Sequence, residues 1–254
     1  MDRESNSSTA NYLRTIRSKL ATLLILITFY SGFLTAATPE PRLRISQTRE
    51  KSVPAPAPNK AYGSKNAPIT VEVFSDYQCP YCRAFYDNTL RQLIANYVAA
   101  GKVYLLHRDF PLAQHKYSGE AARWANACAE VGRFESAETA LYDNQDAWGE
   151  DGDIARFISA ALPVSDFRRV NAIMKESAMP GPQATGASVN PLAGVIHPCP
   201  VDPYIAQDIR LGYQAHVNGT PTLVVTYKGR HFTVAASGVS WPILKQFFDS
   251  LLQQ

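Results

Sequence analysis

The chain has 254 residues, of which 46% are hydrophobic and 19% charged, and its formal net charge is +3. This length suits one well-cored globular domain with appendages. The small charge, without a run of Lys and Arg that would neutralise several phosphates, excludes a nucleic-acid-binding stripe. Four cysteines in so long a chain exclude a disulfide-stapled miniprotein, and only Cys79 and Cys82 lie close together.

The N-terminal segment has the pattern of an export signal. Arg14, Arg17 and Lys19 precede residues 20–37, an uncharged apolar stretch that ends in small residues. Its length is close to the roughly 20 residues that span a bilayer, so a cleaved signal peptide and a retained membrane anchor both fit residues 1–37. The positive flank stays inside in either case. The sequence therefore predicts an exported protein, in the periplasm or at the extracytoplasmic face of the membrane.

A proline-rich segment separates this signal from the folded domain. Residues 38–60 contain five prolines and few large apolar residues, so we expect an extended tether there. The folded domain is predicted to occupy residues 61–254, with no internal repeat.

The pattern of apolar residues predicts an α/β fold. A strand at 69–74, an amphipathic helix at 81–99 and a strand at 102–107 favour a parallel βαβ crossover. Helical patterns then fill about 117–177, and an irregular Pro- and Gly-rich segment follows at 179–203. The remaining predicted elements are a helix at 204–215, a strand at 222–227, a strand at 232–235 and a helix at 241–252.

The cysteine pair lies where the first strand gives way to a helix. Cys79 and Cys82, separated by two residues, are spaced to close a small disulfide, and the positive end of the helix dipole favours the thiolate of Cys79. Cys79 is then the sulfur that a substrate attacks, and Cys82 is the resolving thiol. Half of a zinc site is the alternative, but Cys128 and Cys199 are isolated, so we predict no metal.

Three separated motifs carry a family resemblance. They are Phe74-Ser-Asp-Tyr-Gln-Cys-Pro-Tyr-Cys82, Arg108-Asp-Phe-Pro-Leu112 with His115, and Gly219-Thr-Pro-Thr222. In this order, with a helical stretch between the second and third, the chain resembles the DsbA-like branch of the thioredoxin superfamily over residues 61–252. The resemblance implies an α/β thioredoxin-like fold with an inserted helical subdomain and dithiol chemistry without a cofactor.

The resemblance also assigns roles to single residues. Pro80 and Tyr81 complete the active-site motif, and Pro221, preceded by Thr220, corresponds to a cis proline beside the active-site disulfide. A cis X-Pro bond is uncommon enough to signify a purpose, because it turns the chain sharply and exposes the preceding backbone to an extended substrate. An ordinary turn is the simpler reading of the motif taken alone.

Many relatives of this kind carry a second disulfide at the positions of Cys128 and Cys199. We therefore expect these two cysteines to be bonded. The bond would close a loop of about seventy residues and stabilise the fold by about 4 kcal/mol.

Two positions depart from the family pattern. Tyr81 stands where the strongest oxidants have His, which bears on the potential. Val73 stands where relatives commonly carry a buried acid, and Glu72 is predicted to point to the opposite face, as a solvated strand residue. Asp76 is another candidate acid, although a turn or cap role fits it better. We expect His107 and His115 to be structural hydrogen-bonding groups.

These observations predict a dithiol oxidase that introduces disulfides into thiol-containing exported proteins. The resemblance implies reoxidation by a quinone-linked membrane partner of the DsbB or vitamin K epoxide reductase kind. A reductase or isomerase on the same fold is the closest alternative, since the sequence does not give the potential. A non-catalytic binding module, using the 179–203 segment to hold a partner, is the other.

Overall fold

The computed structural model describes residues 60–176 and 201–254, together with the backbone of 45–48. The predicted signal or anchor, most of the irregular 179–203 segment and Cys199 lie outside the described residues. Within the part of the chain that is described, no helix is long and apolar enough to cross a bilayer.

The strands and helices follow in chain order. The strands are β1 (Ile45–Thr48), β2 (Ala61–Tyr62), β3 (Ile69–Ser75), β4 (Val103–Asp109), β5 (Thr222–Tyr227) and β6 (Arg230–Ala235). Helix α1 is continuous through the segments Pro80–Phe85, Tyr86–Leu90, Arg91–Leu93 and Ile94–Val98, of which the second and fourth are π-helical. The other helices are α2 (Ser118–Glu130), α3 (Phe134–Asp143), α4 (Gln145–Asp151), α5 (Ile154–Ala161), α6 (Val164–Glu176), α7 (Asp202–Gln214) and α8 (Trp241–Leu252).

The strands form one mixed sheet in the order β1-β6-β5-β3-β4-β2. Strands β3 and β4 are parallel, with Ile69 opposite Val103, because α1 carries the chain back between them. Strands β5 and β6 form an antiparallel hairpin, and α8 closes the domain. Helices α2 to α6 are inserted between β4 and α7. The predicted α/β fold with an inserted helical subdomain is confirmed.

The predicted tether is partly wrong. Within residues 38–60 the structure places β1, which pairs antiparallel with β6, and the side chain of Lys60 is fully buried. Without β1, the outer edge of β6 would have unpaired backbone N–H and C=O groups. A short strand bonds these groups through its own backbone, whatever its side chains are. Because this pairing needs no apolar side chains, the composition of the segment did not predict a strand there.

The two faces of the sheet bury different cores. Val71 and Val73 of β3 face the larger core, where α1, α8 and the helical subdomain pack. Phe74 points to the other face and packs with Ile205 and Ile209 of α7. This alternation is the two-residue period of a strand covered on both faces.

A group of buried charges joins α7 to the sheet at the edge of β4, and we call it the ionic cluster: Lys60, Glu72, Arg108, Asp109 and Asp208. Lys60 Nζ bonds Asp109 and lies 2.7 Å from Asp208 Oδ2. Arg108 donates to Glu72 at 2.8 Å and to Asp208 at 2.9 Å. Burial disfavours the charged forms, but the carboxylates outweigh it and raise the pKa of Lys60.

His107 joins the helical subdomain to the sheet beside this cluster. Its ring stacks on Tyr77 at 5.0 Å, its Nδ1 lies 3.0 Å from Glu138 Oε1 of α3, and its Nε2 lies 3.5 Å from Asp109. Burial disfavours the charged ring, but Asp109 and Glu138 together outweigh it and raise the pKa of His107 above its usual 6.5. The expected structural role of His107 thus takes the form of a buried ion pair.

This pair makes stability depend on pH. A His whose pKa is raised by folding contributes fully below its unfolded pKa, and the contribution is lost as pH rises through the folded pKa. We expect the free energy of unfolding of wild type, minus that of His107→Gln, to be largest below pH 6.5 and to shrink at higher pH. Urea unfolding across that range measures the difference. A difference that grew with pH would contradict the assignment.

Candidate active site

The cysteine pair lies at the junction of β3 and α1. Cys79 is the last extended residue, with φ −75° and ψ 122°, and Pro80 begins the helix with its fixed φ and no N–H to satisfy. The backbone carbonyl of Cys79 accepts from the N–H groups of Cys82 and Arg83 at 3.1 and 3.2 Å. This places the Cys79 thiol at the positive end of the helix, as the sequence predicts.

The two thiols have opposite electrostatic environments. A hydrogen bond from Cys82, opposed by burial and supported by Thr220 and by backbone N–H groups, lowers the pKa of Cys79 to about 6. Burial, followed by the hydrogen bond to Cys79 and the charge of Cys79, raises the pKa of Cys82 well above its usual range. At pH 7 the Cys79 thiolate therefore outnumbers its thiol by about ten to one, while Cys82 holds its proton.

The Gly-Thr-Pro-Thr segment packs beside Cys79. The Thr220–Pro221 peptide bond is cis, and the Cys79 thiol donates to the Thr220 carbonyl at 3.7 Å. The fold thus brings together Cys79, Cys82 and the Thr220–Pro221 segment, which lie some 140 positions apart. Between the cysteines, Pro80 is exposed and Tyr81 is 64% exposed.

The acids near the site take structural roles. Val73 is buried on the face that holds the cysteines. Glu72 points to the opposite face, as predicted, but it is buried and paired with Arg108, so its prediction as a solvated residue is wrong. The prediction overlooked Arg108, which lies on the neighbouring strand β4, opposite Phe74 in the parallel register.

Asp76 organises the loop before Cys79. Its carboxylate accepts from the Gln78 N–H at 2.8 Å, the Leu112 N–H at 2.8 Å, the Ser118 hydroxyl at 2.6 Å and His115 Nδ1 at 2.7 Å. These bonds tie the active-site loop to the Arg-Asp-Phe-Pro-Leu segment. Asp76 is thus the turn residue, and His115 the hydrogen-bonding group, that the sequence favours.

Three residues at the site escaped sequence reasoning. Gln145 of α4 donates to the carbonyls of Tyr77 and Cys79 at 2.6 and 3.0 Å. Ser75, at the end of β3, shares a buried hydrogen bond of 2.7 Å with the hydroxyl of Tyr142 on α3. Both Gln145 and Tyr142 come from the helical subdomain, whose docking no local pattern specifies.

Cys128 lies apart from this chemistry. It is fully buried on α2, and burial raises the pKa of its thiol to about 12. Its predicted partner, Cys199, is outside the described residues, so the second disulfide stays a prediction.

Comparison with known proteins supports the family resemblance. A family model described as thioredoxin matches residues 57–237. The Na(+)/H(+) antiporter NhaA 3 of Salinispora tropica is 26% identical over 193 residues, 75% of this chain and 25% of that protein. Probable disulfide bond formation protein D of Bacillus cereus is 27% identical over 115 residues, 43% of this chain and 53% of that protein. This chain thus spans about a quarter of the length of the first relative and about half of the second.

Solved structures share the fold. The crystal structure of alpha-DsbA1 of Wolbachia pipientis has a TM-score of 0.57 and 18% sequence identity, and the match covers 78% of this chain and 92% of that one. At this level of identity the likeness concerns the fold. Because the thioredoxin family model matches residues 57–237, more than half of the sequence, this chain belongs to the thioredoxin family.

Proposed function

We propose that the protein is an exported dithiol oxidase that works through Cys79 and Cys82. A substrate thiolate attacks the Cys79 sulfur of the Cys79–Cys82 disulfide, and Cys82 leaves with the electron pair and takes up a proton. The substrate's second thiolate then attacks the mixed disulfide, which releases the substrate disulfide and the Cys79 thiolate. Two electrons and the substrate's two hydrogens leave the substrate in this exchange.

The observation that carries the proposal is the contrast between the two thiols. The lowered pKa of Cys79 makes it a good leaving group in the second step, and the raised pKa of Cys82 keeps the inner sulfur protonated. A stabilised thiolate also favours the reduced protein, so the disulfide becomes a stronger oxidant. The similarity to a probable disulfide bond formation protein of Bacillus cereus supports this direction of electron flow.

The effect of the Cys79 pKa on the reduction potential is small compared with the range of potentials on this fold. Lowering the Cys79 pKa from 9.0 to about 6 stabilises the dithiol form at pH 7 by about 1.4 kcal/mol, or about 30 mV for a two-electron couple. The potentials of thioredoxin and DsbA differ by about 150 mV. The thiolate of Cys79 alone therefore does not set the direction of electron flow.

The equilibrium of the purified full chain with glutathione buffers tests the direction. We expect a potential more positive than that of protein disulfide isomerase, about −180 mV. A more negative value would recast the protein as a reductase that needs an electron donor. A chain without any titrating pair would leave only a binding module.

We further propose that residues 20–37 direct the chain to the periplasm or the extracytoplasmic face of the membrane and that exported thiol proteins are its substrates. A retained anchor would place the domain beside a quinone-linked oxidase of the DsbB or vitamin K epoxide reductase kind. Alkylation of the cysteines in whole cells tests reoxidation. The pair is expected to be oxidised in growing cells and to become reduced when quinone reduction is blocked.

A further inference from the structure

We propose that the hydroxyl groups of Ser75 and Tyr142 together stabilise the thiolate of Cys82 during thiol–disulfide exchange, with Ser75 in contact with the sulfur and Tyr142 holding Ser75. This inference rests on the proposed function, because Cys82 ionises only when the cysteine pair exchanges electrons.

The reaction demands such a group. When Cys82 leaves as a thiolate, or attacks the mixed disulfide at Cys79 during reoxidation, a negative charge forms on a sulfur that is 1% exposed. A buried charge without a hydrogen-bond donor is strongly disfavoured. Something next to Cys82 must therefore donate to it.

The face of β3 that carries the site has no carboxylate. Val71, Val73 and Ser75 share that face, and Glu72 lies on the other. The carboxylate of Asp76 is occupied by four donors from the loop and α2. Ser75 is the polar side chain that the strand presents toward the cysteines.

Three contacts place Ser75 in this role. The backbone N–H of Asp76, the next residue, donates to Cys82 Sγ at 3.5 Å, so the sulfur lies over the end of β3. Burial and Cys79 raise the pKa of Cys82, and side-chain hydrogen bonds from Ser75 and Thr220 oppose that rise. The Ser75 hydroxyl is in turn bonded at 2.7 Å to the Tyr142 hydroxyl, and both side chains are at least 95% buried.

Tyr142 orients the hydroxyl group of Ser75. Burial raises the pKa of Tyr142 well above its usual range, so its hydroxyl keeps its proton and is able to donate to Ser75. Ser75 is then free to point its own proton at the sulfur. Consecutive hydroxyl donors polarise each other, which strengthens the bond to the thiolate. Among the described residues, Cys79 at the N-terminus of α1 and Tyr142 on α3 are titratable groups that interact electrostatically with Cys82.

A two-step reaction with dithiobis-nitrobenzoate separates the two thiols. The Cys79 thiolate attacks this aromatic disulfide and releases one nitrothiobenzoate, which leaves a mixed disulfide on Cys79. Cys82 then loses its proton and attacks Cys79 Sγ; the mixed disulfide breaks, the Cys79–Cys82 bond forms, and a second nitrothiobenzoate leaves with the electron pair. The first release reports on Cys79 and the second on Cys82.

We expect Ser75→Ala in the purified full chain to slow the second release at pH 7 by about tenfold and to move its pH midpoint upward by about one unit, since one pKa unit is tenfold in thiolate. Tyr142→Phe should change the second release in the same direction by a smaller factor. The first release should change less than twofold in both variants. Ser75→Thr, which keeps the hydroxyl, should restore the second release.

Tyr86→Phe is the matched control, because it removes a nearby tyrosine hydroxyl that bonds Thr139 at 2.9 Å. It should leave both releases unchanged. If Ser75→Ala does not fold, Tyr142→Phe and Ser75→Thr carry the test. Equal second-step rates and midpoints in wild type and the folded variants would overturn the inference, whereas a wild type without two-step release would refute the proposed function itself.

Discussion

Cys79→Ser is expected to lower the rate of thiol–disulfide exchange by at least about a thousandfold. The thiolate is the nucleophile and the leaving group of this chemistry, and a serine hydroxyl replaces it in neither role. Cys79 also has the low pKa, about 6, whereas burial raises that of Cys128 to about 12. The measurement is the rate of oxidation of a reduced peptide that carries two cysteines.

The partner variants make this result specific. Cys82→Ser should accumulate a mixed disulfide between Cys79 and the peptide, because the resolving thiol is missing, and mass spectrometry detects the adduct. Cys128→Ala should retain exchange within a few fold, since its thiol is buried and protonated at neutral pH. Exchange that survived Cys79→Ser, or was lost in Cys128→Ala while the protein stayed folded, would contradict the assignment.

Lys60→Met is expected to destabilise the domain by about 3–5 kcal/mol. Lys60 is fully buried between Asp109 and Asp208, and its removal deprives both buried carboxylates of the cation that they share. The methionine has about the volume of the lysine stem but no charge, so the loss of stability reports on the ion pairs and not on a cavity. Equilibrium urea unfolding at pH 7 measures it.

Lys65→Met is the matched control. Lys65 is exposed and lies five residues along the chain, so its replacement should change the free energy of unfolding by no more than about 0.5 kcal/mol. A Lys60→Met variant as stable as Lys65→Met would show that the ionic cluster contributes nothing beyond packing. Such a result would also remove the reason for counting Lys60 as part of the folded domain.

Local patterns predicted the elements around the site closely. The strand predicted at 69–74 is β3 (Ile69–Ser75), and the strand and helix predicted at 222–227 and 241–252 are β5 and α8. Period-two and period-3.6 patterns are properties of neighbouring residues, so they survive in any fold that buries one side of the element. The prediction of a tether at 38–60 was incomplete because β1 is held by backbone bonds to β6, which leave little trace in composition.

The placement of the cysteine pair was likewise predictable from one segment of the sequence. Cys79 and Cys82 are separated by two residues at a predicted helix start, and this placement puts one sulfur at the positive end of the helix dipole. Glu72 was read only half correctly. Its face follows from the strand period, but its partner Arg108 lies on another strand, 36 positions away.

The sequence by itself determined the strand-to-helix placement of the cysteines, the parallel crossover and the extent of the helical insertion, because each depends on residues close together in the chain. Only the tertiary structure decided which side chains of the helical subdomain reach the site: Tyr142, which bonds Ser75, and Gln145, which donates to the carbonyls of Tyr77 and Cys79. The physical reason is that long-range hydrogen bonds and buried ion pairs depend on how elements dock, and docking is set by the packing of the whole core rather than by any one segment.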